Sequence, residues 1–152
     1  MKKTTIAGLG LAALLALAAC STDADGDARP SGAAAGADPV ACVQAADCTT
    51  LPPAEFAELA AAEGVVLLDV RTPQEFAEGH LDGAVNLDVS AADFTDRLAD
   101  LDAEATYAVY CRSGNRSQTA LDLMAQAGID AAADLAGGIG AWVDAGQPVT
   151  TG

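Results

Sequence analysis

Positive charge is scarce in this chain: seven Lys and Arg stand against 22 Asp and Glu, for a formal net charge of -15 at pH 7. Such a surface repels a phosphate backbone, which argues against nucleic acid as a partner. Histidine is reduced to one residue, His80, with no second histidine or cysteine cluster beside it in sequence. A zinc site, built from several His, Cys or carboxylate ligands, therefore has no ligand set here. Aromatic residues make up 4% of the chain, so the core must come from aliphatic side chains and alanine. No apolar run reaches the roughly 20 residues of a membrane-crossing helix; the run from Ile6 to Ala19 has 14.

The little positive charge that is present is concentrated. From residue 50 onward there are 17 Asp and Glu and four Arg, and two of those four lie in Cys111-Arg112-Ser113-Gly114-Asn115-Arg116-Ser117. Ala105 to Tyr110 before it reads as a buried strand, and a helical pattern follows from about Arg116 to Ala127. A loop from a strand end to a helix start aims backbone N–H groups at one spot, and the helix N-terminus adds partial positive charge there. An anion belongs at that spot. The reactive anion on offer is the Cys111 thiolate, whose pKa the same donors, with Arg112 and Arg116, would lower. Cys111 is thus the candidate nucleophile.

The length of 152 residues allows one ordinary domain plus additional sequence. Residues 1–19 have the charged start, Met1-Lys2-Lys3, and short apolar centre of a secretory signal peptide. Leu17-Ala18-Ala19-Cys20 resembles the lipobox of bacterial lipoproteins, which implies cleavage before Cys20 and its acylation. The alternative is an ordinary signal with a cysteine at its end by chance. No twin arginine precedes the apolar run, so Sec export is expected. The lipobox reading puts the protein on the extracytoplasmic face of a bacterial membrane, held by lipid, each buried methylene adding about 0.8 kcal/mol. Residues 20–39 supply the acylated cysteine and a tether of Asp, Ala, Gly, Ser and Pro. That composition buries too little to fold and gives the tether a reach of roughly 25 Å.

In an oxidising compartment Cys42 and Cys48, within the N-terminal segment 40–50, read as a local disulfide. Closing so small a loop contributes about 2 to 3 kcal/mol. Two alternatives stay open: a redox relay serving Cys111, or two reduced thiols.

From Leu51 to residue 150 the chain alternates helical and strand patterns. Ala54 to Ala62 has Phe56, Leu59 and Ala60 on one helical face, and Gly64 ends it. Val65 to Val70 is a continuous apolar run of strand length, the mark of a strand buried on both faces. Pro73 to Glu78 is a helical turn, and a brief strand follows at about Ala84 to Leu87. Ser90 and Asp93 form a variant capping pattern for a helix with Phe94, Leu98 and Leu101 on one face. Ala120, Leu123, Met124 and Ala127 give the helix after Cys111 its core stripe. Ile129 to Leu135 is a last strand, and Ile139 to Ala145 a short helix anchored by Trp142. The alternation predicts an α/β domain with a mainly parallel sheet and helices on both faces. Ligands of such sheets bind at the carboxyl ends of the strands, where both Asp69 and Cys111 fall.

Four stretches in order resemble a single-domain rhodanese: Leu67 to Phe76, Gly79 to Leu87, Cys111 to Ser117, and Leu135 to Gly138 with Trp142. The resemblance spans about residues 51–150. It implies a central parallel sheet of about five strands and a sulfurtransferase that carries sulfane sulfur on Cys111 as a persulfide. The partners so implied are a small anionic donor, thiosulfate or polysulfide, and a thiol or cyanide acceptor, with no cofactor and no metal. Loop N–H groups from Arg112 through Ser113, Gly114 and Asn115 to Arg116 and Ser117 would hold the persulfide anion, and Arg112 and Arg116 the donor. Asp69 and Arg71 are read as supporting the pocket wall, with direct substrate contact as the alternative, and His80 as structural rather than a general base.

Two other functions are weighed. The related phosphatases and arsenate reductases carry His-Cys-x5-Arg, whereas here Tyr110 precedes the cysteine and the spacing is Cys-x4-Arg, a tighter cradle. A non-catalytic module that binds partners or senses persulfide would keep the fold without turnover.

Overall fold

A computed structural model of the chain describes residues 38–151. The expected signal peptide 1–19, Cys20 and nearly all of the tether 20–39 lie outside the described residues. The elements run α1 (Pro39–Gln44), β1 (Thr50–Leu51), α2 (Pro53–Ala60), β2 (Val65–Asp69), α3 (Pro73–Glu78), β3 (Val85–Asn86), α4 (Phe94–Leu98), β4 (Thr106–Tyr110), α5 (Asn115–Gln126), β5 (Ala132–Leu135) and α6 (Gly138–Asp144). The strands form one sheet in the order β1-β5-β4-β2-β3, and every pair is parallel.

Strand β4 is central and all five of its residues are buried. Its side chains alternate between faces with the period of two that a strand imposes. Tyr107 and Val109 pack with Phe94 and Leu98 of α4 and Ala120 and Met124 of α5. Ala108 and Tyr110 pack with Val43 of α1, Phe56 and Leu59 of α2, and Trp142 of α6. Both faces are therefore covered by helices, and the scarce aromatics are spent there: Phe56 and Trp142 meet edge to face with centroids 6.2 Å apart. Segment 40–50 is built into this body, for Val43 is in the core and Thr50–Leu51 pairs with β5. Cys42 and Cys48 are joined by a disulfide across the turn between α1 and β1, with Cα atoms 5.4 Å apart.

The strand order reverses between β2 and β4: from β2 the chain steps outward to β3, and from β4 it steps the other way to β5. The loops after these two strands diverge and open a crevice at their carboxyl ends. Arg71 from the first loop and Arg112 and Ser113 from the second border it.

Two local expectations change. The Ser90–Asp93 cap does not form, because α4 starts only at Phe94, behind an Asp93 that makes no side-chain cap bond. Ser90 instead donates its backbone N–H to Asp88 Oδ1 at 2.9 Å, closing a turn before the helix. A capping box does occur at Thr72 and Glu75, where Pro73 opens α3: the Glu75 N–H donates to Thr72 Oγ1 at 3.3 Å and the Thr72 N–H to Glu75 Oε2 at 3.2 Å. The core stripe of α5 stops at Met124, and Ala127, beyond the end of the helix, is exposed.

Candidate active site

Cys111 follows directly on β4, and its side chain continues the Tyr107–Val109 face into the core, 1% exposed. The chain then turns sharply through Gly114, at φ 104°, into α5. A residue with a Cβ is strained at that φ, and Gly removes the strain. The turn brings the Gly114 N–H to 3.1 Å from Cys111 Sγ, and Ser117 Oγ, in the first turn of α5, to 3.6 Å. Burial pushes the Cys111 thiol up, but the Ser117 hydroxyl and the N–H groups of Ser117, Ser113 and Gly114 outweigh it and hold the thiol below its ordinary range. Backbone and hydroxyl groups are the main source of this pull, and Arg116 also interacts with the Cys111 charge.

A second glycine, Gly138, supports the loop from below. A Cβ on Gly138, at φ +62°, would stand 2.5 Å from the Cys111 carbonyl oxygen and 2.6 Å from Ser113 N. With no side chain there, the start of α6 lies against the loop, the Ile139 N–H donating to Cys111 O at 2.8 Å and the Gly140 N–H to Arg112 O at 3.3 Å.

The remaining residues of the stretch differ in placement. Arg112, Ser113 and Asn115 are exposed on the rim. The Arg116 guanidinium, half-buried, is engaged by Glu75 of α3 through two bonds of 2.7 Å. Arg116 holds the Glu75 carboxyl down to about 2, although burial of Glu75 works the other way. Glu75 is a site residue that sequence reasoning missed; its signal was the Thr72-Pro73-Gln74-Glu75 pattern, which fixes the carboxylate at the start of α3. Asp134 of β5 was missed as well. It accepts from Ser117 Oγ at 2.6 Å, and the signal was a carboxylate inside the otherwise apolar Ala132-Ala133-Asp134-Leu135.

At the end of β2, Asp69 and Arg71 are both buried and form an ion pair, with Arg71 Nη2 2.6 Å from Asp69 Oδ2 and Nε 2.9 Å from Oδ1. Arg71 Nη2 also donates to Gly79 O at 2.6 Å, tying the loop after α3 to β2, and its guanidinium lies 5.7 Å from the centre of the Tyr110 ring. Asn86 of β3, another residue unread in the sequence, donates to Asp69 O at 3.0 Å and Arg71 O at 2.8 Å. Burial first, then the Asp69 charge, pushes the Tyr110 phenol up, so it stays protonated; its oxygen accepts the Leu81 N–H at 3.1 Å. His80 stacks on Phe76, with centroids 3.8 Å apart, and bridges to Thr150.

Above the loop opens a cavity of about 750 Å³, bordered by Arg71, Glu75, Arg112, Ser113, Ile139 and Val143 among others. Arg71 and Arg112 supply its positive charge, Glu75, Glu78 and Asp144 its negative charge, and Val143 and Val149 an exposed apolar wall. Among the described residues, no three His, Cys, Asp or Glu side chains come together to hold a metal ion.

The profile of the rhodanese-like domain matches residues 52–145. The chain is 43% identical over 93 residues to the thiosulfate sulfurtransferase GlpE of Pseudomonas putida, covering 60% of this chain and 82% of that protein. A rhodanese-related protein of Thermoplasma volcanium superposes with a TM-score of 0.61 at 30% identity, over 68% of this chain and 99% of the other. A Rhodopseudomonas palustris protein of unknown function, described as a possible tyrosine phosphatase, superposes with a TM-score of 0.58 at 26% identity, over 76% and 96%.

Proposed function

This chain belongs to the rhodanese-like family, and from that premise we propose that it is a sulfurtransferase in which Cys111 carries the transferred sulfur as a persulfide. The observation that carries the reading is the Cys111 thiol seated under converging N–H donors, the Gly114 N–H 3.1 Å from its sulfur. The Cys111 thiolate attacks the outer sulfur of thiosulfate, the S–S bond of the donor breaks, and sulfite leaves with the bonding pair. The enzyme is left as Cys–S–S⁻. A polysulfide donor would react in the same way and leave as a chain one sulfur shorter. An acceptor thiolate or cyanide then attacks the terminal sulfur, takes it as a persulfide or thiocyanate, and returns Cys111 as the thiolate. Two displacements through one covalent intermediate give ping-pong kinetics. The loop N–H groups from Arg112 to Ser117 stabilise the terminal anion as an oxyanion hole stabilises oxygen. Arg112, exposed on the rim, meets the anionic donor first; Arg116 contributes when Glu75 shares or releases it.

Mass spectrometry of the protein after thiosulfate or polysulfide treatment should find a gain of one sulfur on Cys111, discharged by cyanide or thiol. Absence of that gain, with no thiocyanate formed, would overturn the reading. The likeness to the Rhodopseudomonas palustris protein brings in a phosphatase as the second reading. Against it stand the short Cys-x4-Arg loop and an Arg116 already held by Glu75; hydrolysis of an aryl phosphate that Cys111→Ser abolishes would reverse the choice. Loading of Cys111 without release to any acceptor would instead mark a sensing module. We also propose that Cys20 is acylated and anchors the domain outside the cytoplasm, a reading supported by the lipobox resemblance alone. Fatty-acid labelling that persists in Cys20→Ser would contradict it.

A further inference from the structure

The transfer just described leaves one buried carboxylate without a role. Asp134 is 1% exposed in β5. Its Oδ2 accepts from Ser117 Oγ at 2.6 Å, and its Oδ1 accepts from Thr50 Oγ1 at 2.7 Å and Gln118 Nε2 at 3.2 Å. Gln118 Nε2 also donates to Thr50 Oγ1 at 3.0 Å, which leaves the threonine proton for Asp134. Three donors on two oxygens is the pattern of an acceptor-only carboxylate. Ser117 has one hydroxyl proton and three neighbours to receive it: Asp134 Oδ2 at 2.6 Å, Gly114 O at 2.8 Å and Cys111 Sγ at 3.6 Å. The carboxylate is both nearest and charged, so it takes the proton. The Cys111 thiol in turn donates its own proton to Ser117 Oγ.

We propose that Asp134 is a positioning residue that competes with Cys111 for the Ser117 hydroxyl proton and so limits the help that hydroxyl gives the thiolate, favouring the states in which Sγ is uncharged, thiol and persulfide, over the free thiolate. With a charged sulfur, Ser117 has two arrangements. It can stay on Asp134 and turn a lone pair toward the thiolate, or turn its proton to the sulfur and leave a buried carboxylate facing its bare oxygen at 2.6 Å. Either leaves a buried group short of a hydrogen bond. In the persulfide the charge has moved to the outer sulfur and Sγ is a neutral divalent atom, so Ser117 keeps its bond to Asp134. The free thiolate is selectively raised in energy, and sulfur loading is favoured. The persulfide half of this inference rests on the sulfurtransferase reading; the thiol half does not.

Other charged groups surround Cys111. Arg116 on α5 interacts with its charge but is paired with Glu75 of α3 and also interacts with Asp88 after β3. Arg112 lies in the loop, and Asp69 and Arg71 at the end of β2 are paired with each other. From α6 the contact is the Ile139 N–H on Cys111 O. None of these groups hydrogen-bonds the Ser117 hydroxyl.

The test is Asp134→Asn in the full chain. Its Oδ1 can keep Thr50 and Gln118 while its Nδ2 donates to Ser117, whose proton is then free for the sulfur. The pH dependence of Cys111 alkylation, read by peptide mass spectrometry, should move its midpoint down by about one unit, making alkylation about tenfold faster below the midpoint. In a Ser117→Ala background the same change should have no effect. A midpoint that stays or rises, or an equal downward shift without Ser117, overturns the proposal. Should Asp134→Asn fail to fold, Thr50→Val decides: removing one donor leaves more of the Asp134 charge on Ser117, so the midpoint should rise, and any other result overturns it. In equilibrium with glutathione and glutathione persulfide, Asp134→Asn should hold a smaller loaded fraction of Cys111 than the parent. An equal or larger fraction overturns the persulfide half. No loading even in the parent sinks the sulfurtransferase reading and leaves the alkylation result standing.

Discussion

The ends of β2 and β4 are neighbours in the sheet, with Asp69 in register with Tyr110, yet they use their polar groups in opposite ways. At the end of β2 the charges satisfy each other: Asp69, Arg71, Gly79 O and Asn86 close a network that leaves nothing pointing outward but one edge of Arg71 in the cavity. At the end of β4 the loop carbonyls are bound by α6 and the N–H groups are turned inward onto one sulfur. The first arrangement gives rigidity. The second gives reactivity, because donors without an oxygen partner stabilise whatever anion the sulfur becomes.

Substitutions can separate the two roles. Cys111→Ser should lower sulfur transfer by on the order of a thousandfold or more while leaving the urea midpoint within experimental error; retained transfer to cyanide would mean the sulfur travels on another group. Asp69→Ala should act in reverse order, through the fold. It leaves Arg71 as an unpaired buried charge, at a cost of about 3–5 kcal/mol in denaturant unfolding, and loss of activity should follow loss of structure. A folded Asp69→Ala protein of parental stability with no transfer would instead make Asp69 part of the chemistry.

Gly138→Ala probes the support under the reactive loop. The added methyl meets the loop backbone, and the positive φ adds strain, so about 1–3 kcal/mol of stability should be lost. The Cys111 alkylation midpoint should move with it, since the Gly114 N–H is displaced. A stability loss with an unmoved midpoint would show that α6 braces the domain and not the sulfur.

The smallest effect is expected at the contact that joins the rim to α3. Arg116 and Glu75 are half-exposed, so their pair contributes only about 1 kcal/mol or less. Glu75 is depressed to about 2 from 4.5. Its stabilisation is therefore complete above pH 4.5 and lost as pH falls toward 2, because only the folded state favours the ionised form. Glu75→Gln should flatten that part of the stability–pH profile. It should also free Arg116 for an anionic donor and lower KM for thiosulfate a few-fold, with kcat little changed; a raised KM would make Glu75 a support for Arg116 rather than a competitor.

The arrangement of β4, the Cys111 loop and α5 was legible in the sequence, because each depends on residues within a few positions of one another. The apolar run, the glycine and the change of period from two to 3.6 all report local backbone conformation. The capping box at Thr72–Glu75 is equally local, whereas at Ser90–Asp93 the spacing is right but the helix begins only at Phe94. The partners of the site residues were not legible. Arg116 meets Glu75 across 41 positions and Ser117 meets Asp134 across 17, and nothing in the periodicity of either segment names the other.

By itself, then, the sequence determined which strand delivers the cysteine, which helix follows it and where the scarce positive charge falls, since dihedral preferences and hydrophobic period act along the chain. Only the tertiary structure decided what those groups face. Strand order set β5 beside β4 and so brought the Asp134 carboxylate to the hydroxyl of Ser117; the path of α3 brought Glu75 to Arg116. Hydrogen bonds and ion pairs act over a few ångströms of space, whatever the separation along the chain.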